Sequence, residues 1–98
     1  MNREQVIATL RRHEPELRAS GIVHLALFGS TARGEQGRES DVDLLAAYDA
    51  GRRISHLDIV ELEMGISAML GRKVDLIEEG TLKPGVQRAV ENEIVRAF

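Results

Sequence analysis

The chain has 98 residues, 43% of them hydrophobic and 30% charged, with a formal net charge of -3 and no cysteine, an ordinary balance for one small globular domain. Disulfides, thiolate metal sites and a cysteine nucleophile are excluded, and the acidic excess argues against a broad polyphosphate-binding or nucleic-acid surface. No apolar run nears the roughly 18 residues needed to span a bilayer, and Met1 to Gln5 lacks the apolar stretch of a signal peptide, so the expected location is the cytoplasm.

Val6, Ile7, Leu10 and Leu17 recur at helical spacing, which predicts one amphipathic helix from Arg3 to about Ala19 that stops at Gly21. Val23 to Phe28 reads as a buried strand that runs into a turn at Gly29-Ser30. Thr31 to Glu39, polar and carrying Gly34 and Gly37, is expected to be a short helix or loop. Asp41 to Ala47 is the second predicted strand, closed by Tyr48-Asp49-Ala50-Gly51. Ser55 and Asp58 resemble a capping box that opens a helix through Ile59, Leu62, Ile66 and Met69 to Gly71, and this helix is expected to be largely buried. Lys73 to Ile77 is the third strand and Glu78-Glu79-Gly80 a turn. Pro84 is placed to start a last helix, with Val86, Val90, Ile94 and Phe98 as its inner stripe. The order α, β, short α, β, α, β, α predicts an α/β (α+β) fold and a single domain over residues 1–98.

The chemistry is concentrated between Leu27 and Leu44. Gly29 and Ser30 end a strand, where free backbone N–H groups and a hydroxyl can cradle phosphate oxygens and glycine permits close approach. An isolated Gly-Ser pair more often makes only a tight turn. Asp41 and Asp43 lie two apart on a predicted strand, so their carboxylates share one face while Val42 and Leu44 take the other. Adjacent carboxylates raise one another's pKa unless a cation joins them, and their hard oxygens suit magnesium held together with substrate phosphates. Solvated acids on an edge strand are the ordinary alternative.

Asp75 is a third acid, on a strand whose Val74 and Leu76 fix the apolar face. Beside the first two it would complete a set able to hold two metal ions for phosphoryl transfer, and it could take an acceptor's proton. Arg33 is the favoured candidate to neutralise triphosphate charge, with Arg38 read as solvated. Arg52, Arg53, Arg72 and Lys73 have no interleaved aromatic residues and read as solvated surface. His13, His24 and His56 show no metal-ligand spacing.

Taken together, Gly29-Ser30-Thr31-Ala32-Arg33-Gly34, Ser40-Asp41-Val42-Asp43-Leu44 and Asp75 resemble the signature of the polymerase-β-like nucleotidyltransferase superfamily. The closest likeness is to its minimal form, the MNT-domain antitoxins paired with HEPN toxins. The resemblance covers nearly the whole chain and implies a small mixed sheet of at least three strands flanked by helices. It further implies that Gly29, Ser30 and Arg33 bind the nucleotide, and that Asp41, Asp43 and Asp75 are catalytic and hold magnesium, two ions in all. The implied activity is magnesium-dependent transfer of AMP from ATP to a tyrosine of a partner HEPN ribonuclease. Two other readings stand beside it, a non-catalytic antitoxin that caps its partner sterically and a nucleotidyltransferase acting on a small molecule or an RNA end. A homo-oligomer is compatible with so small a domain.

Overall fold

The computed structural model describes residues 2–29, 32, 41–81, 85, 88 and 94–98. Helix α1 (Arg3–Arg12) starts on a capping box: the Asn2 side chain accepts the Gln5 N–H at 2.9 Å, and Gln5 Oε1 accepts the Asn2 N–H at 2.8 Å. Where the sequence suggests one helix to Ala19, the chain forms two, for α1 ends at His13 and α2 (Glu14–Ala19) begins anew. Pro15 is the cause. It has no N–H to offer the Arg11 carbonyl, its ring would clash there, and it sits instead in the first turn of α2, where neither defect matters.

Four strands form one sheet: β1 (Ile22–Leu27), β2 (Val42–Tyr48), β3 (Val74–Glu78) and β4 (Val95–Arg96), in the order β3-β2-β1-β4. β1 is antiparallel to both of its neighbours, whereas β2 and β3 are parallel. Parallel neighbours need a crossover, and here it carries α3 (His56–Leu70). Ser55 and Asp58 form the capping box expected of them, and Gly71 ends the helix in the left-handed region at φ 66°, with its N–H donating to the Ser67 carbonyl at 2.8 Å.

α3 is not largely buried. Ile66 and Leu70 are sealed and Ile59, Leu62 and Met69 pack partly against the core, but Leu57, Val60 and Met64 are 67%, 44% and 68% exposed. A helix laid on a sheet hides one stripe, and α3 carries apolar residues around more of its circumference than one sheet face covers.

The C-terminal expectation also changes. Gly85 and Arg88 are helical, but Ile94 and Phe98 are not part of a helix. Val95 pairs with Leu27 and Arg96 with Ala26, while the Ala97 N–H donates to the Leu25 carbonyl at 2.8 Å. The segment supplies backbone partners to the otherwise open edge of β1, a demand that overrides a helical spacing of side chains. Pro84, Val86 and Val90 lie outside the described residues, as does the Thr31–Glu39 segment apart from Ala32.

The core lies between the sheet and α1 to α3. Val6, Leu10, Ile22, Leu25, Leu27, Val42, Leu44 and Ile66 are fully buried, each side chain contributing about 1.5–3 kcal/mol. Among the described residues, no helix is long and apolar enough to cross a membrane.

Candidate active site

The sheet core sets the direction of the acids. Val42, Leu44 and Ala46 on β2, and Val74 and Leu76 on β3, are buried against the helices. Alternation then turns Asp41, Asp43 and Asp75 to the opposite face. The parallel register brings strand neighbours side by side, pairing Val42 with Val74 and Asp43 with Asp75. Two carboxylates 32 positions apart in sequence thus become lateral neighbours, with Asp41 two residues before Asp43, immediately ahead of β2.

The end of β1 meets this row. The Phe28 N–H donates to the Asp43 carbonyl at 3.2 Å, which holds Gly29 beside the acid. Gly29 has φ 63°, and a Cβ built on it would lie 3.0 Å from Asp43 Oδ2. Any larger residue would meet both an unfavourable backbone and the carboxylate. Only glycine leaves this approach to the acid open.

Burial pushes the Asp43 carboxyl above its ordinary value, and the negative charges of Asp75 and Asp41 raise it further. The arrangement stores like-charge repulsion that a cation would relieve. Among the described residues, no three acidic or imidazole groups converge tightly enough to grip an ion as they stand. The donors nonetheless fit magnesium in kind, being hard carboxylate oxygens gathered on one face with a repulsion that a divalent ion would offset.

Ser30 and Arg33, the other two nucleotide-binding candidates, lie outside the described residues, as do Gly34 and Arg38. His13 lies 3.4 Å from Glu16, and His24 contacts Arg96. The structure adds one residue that the sequence pattern set among solvated surface cations: Lys73, whose Nζ lies 3.8 Å from Asp41 Oδ2. The signal that could have found it is parity, since Lys73 precedes Asp75 by two on the same strand face. A cavity of about 450 Å³ between α2, α3 and the Arg52–Ile54 loop is lined by Glu16, Asp58 and Glu61 but not by Asp41, Asp43 or Asp75. The three carboxylates of Asp41, Asp43 and Asp75 lie instead on the sheet face turned away from the buried Val42, Leu44, Val74 and Leu76.

The chain is similar to known proteins over nearly its whole length. Residues 9–97 match the family described as Nucleotidyltransferase domain. The chain is 38% identical over 93 residues to the protein adenylyltransferase MntA of Thermococcus cleftensis, covering 94% of this chain and 92% of that one. A solved chain described as a candidate minimal nucleotidyltransferase superposes with a TM-score of 0.81 at 34% identity, over 97% of this chain and 95% of that one. A chain from a solved complex of a tri-AMPylated Shewanella oneidensis HEPN toxin with an MNT antitoxin has a TM-score of 0.66 at 16% identity, over 93% of this chain and 70% of that one. At that identity the likeness is one of fold.

Proposed function

The chain belongs to the nucleotidyltransferase domain family and is an enzyme of that class, and from that premise we propose that it transfers AMP from ATP, with magnesium, to a tyrosine hydroxyl of a partner HEPN-family toxin. The observation that carries this reading is the row of Asp41, Asp43 and Asp75 on one face beside Gly29, with Asp43 and Asp75 in register. The acceptor is taken from relatives, namely the adenylyltransferase MntA and the complex containing a tri-AMPylated HEPN toxin. A cytoplasmic setting goes with both ATP and such a partner.

In this reaction the acceptor oxygen attacks the α-phosphorus, a new P–O bond forms, and the bond to the β-phosphate oxygen breaks to release pyrophosphate. Gly29 and Ser30 hold the triphosphate through backbone N–H groups and the hydroxyl, and Arg33 offsets its charge. Asp75, lateral to Asp43, takes the proton of the attacking hydroxyl. Asp41 and Asp43, with Asp75, would hold magnesium. Bound there, magnesium offsets the charge that builds on the α-phosphate and on the leaving pyrophosphate.

The test incubates the protein with a HEPN ribonuclease, magnesium and ATP labelled at the α-phosphate, and reads label on tyrosine by mass spectrometry. The reading expects labelling that fails without magnesium and in the Asp41→Asn, Asp43→Asn double variant. Undiminished transfer by the double variant sinks it. The exposed Leu57, Val60 and Met64 on α3 favour a second reading, a partner cap without catalysis. In that case the double variant still silences the ribonuclease and no label is transferred.

A further inference from the structure

We propose that Lys73 is a nucleotide-binding residue of this site, its ammonium resting against Asp41 in the nucleotide-free protein and turning to the triphosphate when the nucleotide binds. The inference rests on the nucleotidyltransferase reading above. In the parallel ladder, Val42 pairs with Val74 and Asp43 with Asp75, and the Val42 N–H donates to the Lys73 carbonyl at 2.8 Å. One further step back along the same register puts Lys73 beside Asp41. Residues 41, 43, 73 and 75 therefore form a block of four charges on one sheet face, three acidic and one basic.

The lysine is held there by its backbone, whereas its side chain is free to move. Lys73 Nζ stands 3.8 Å from Asp41 Oδ2, and the two side chains are 75% and 40% exposed. An ion pair this exposed is weak and easily exchanged. An ammonium on a flexible four-carbon stem is a point charge that can change partners without moving the strand. Asp41 is also a candidate magnesium ligand, so the ion and the ammonium compete for one carboxylate. Once displaced, the ammonium finds its strongest available partners in the phosphate oxygens of the incoming nucleotide.

Competition followed by hand-over predicts effects of opposite sign. In the Lys73→Met protein, magnesium alone, titrated by calorimetry without nucleotide, should bind about threefold to fivefold more tightly, the scale of one exposed ion pair. The same variant should raise the KM for magnesium-ATP by about tenfold, the scale of one charge-assisted phosphate contact. Its kcat should stay within about twofold, since a contact made equally in ground and transition states changes KM alone. Lys73→Arg should restore most of the ATP affinity.

Unchanged magnesium binding and KM in a folded Lys73→Met protein would show an ordinary solvated lysine and overturn the inference. Weaker magnesium binding in that variant, or a loss of ATP affinity that Lys73→Arg does not recover, would overturn it as well. If the wild type itself binds no magnesium-ATP, the nucleotidyltransferase reading falls and the inference with it. Wild-type binding with an unmoved variant removes the inference alone.

Discussion

Replacing Asp43 by asparagine keeps the volume of the side chain and one acceptor oxygen but removes the charge that Asp75 and Asp41 oppose. A carboxyl raised above its ordinary value of 3.8 binds its proton more tightly in the folded chain than in the unfolded one. That contribution to stability is therefore fully present below 3.8 and is lost as pH rises through the folded-state value. At neutral pH the ionised Asp43 opposes folding. Like charges directly opposed across two strands cost about 0.2–1 kcal/mol; with Asp75 lateral, Asp41 two residues away and solvent screening both, relief of about 0.5–1 kcal/mol is expected. For a domain of this size that raises Tm by about 2–6 °C.

The assay is thermal unfolding by circular dichroism at neutral pH with a chelator present. Asp43→Asn should melt above the wild type while losing transferase activity, and the difference should vanish near about pH 3, where both chains are uncharged at this position. With excess magnesium the order should reverse, because ligand at a hundredfold excess over its Kd adds about 2.7 kcal/mol to the wild type alone. A folded Asp43→Asn protein that melts at or below the wild type in chelator would refute the account of Asp43 as a carboxylate repelled by Asp75 and Asp41.

Gly29→Ala places a Cβ 3.0 Å from Asp43 Oδ2 on a backbone at φ 63°. It should lower stability by about 1–2 kcal/mol in chemical denaturation, and lower kcat by displacing the carboxylate. Gly65 lies inside α3, where an added Cβ would meet nothing within 4 Å among the described residues, so Gly65→Ala should stabilise the isolated chain by about 0.5–1 kcal/mol, readable as a shift in denaturation midpoint without loss of transferase activity. Among the described residues the buried Tyr48 hydroxyl has no hydrogen-bond partner, and burial, followed by Glu78 and Glu63, pushes its pKa up to about 12. Tyr48→Phe should therefore be neutral or stabilising by up to about 1 kcal/mol, and a clear drop in Tm would mean that the hydroxyl has a role in the fold.

Much of the fold follows from local rules. The Ser55–Asp58 capping box, the Gly71 stop and the three strands read in order all depend on neighbours within a few residues, and these appear with boundaries shifted by only a residue. The break at His13 is equally local, since Pro15 states it, but an apolar stripe continuing to Leu17 hides a proline that the first turn of a new helix accepts. The exposure of Leu57, Val60 and Met64 could not be read from α3, because periodicity gives the direction of a side chain and not whether anything covers it.

The sequence by itself determined that Asp41 and Asp43 share a face and that Asp75 stands on a strand with its apolar neighbours turned the other way, because the pleat has period two whatever the sheet around it. Which strands lie side by side, and in what register, is a tertiary matter. The parallel pairing of β2 with β3 depends on how α3 packs across the sheet, and it alone makes Asp75 the lateral neighbour of Asp43 and puts Lys73 next to Asp41. β4 is decided in the same way: Val95 and Arg96 are strand residues because the edge of β1 leaves backbone groups to be satisfied, a requirement written in the partner strand rather than in the segment that meets it.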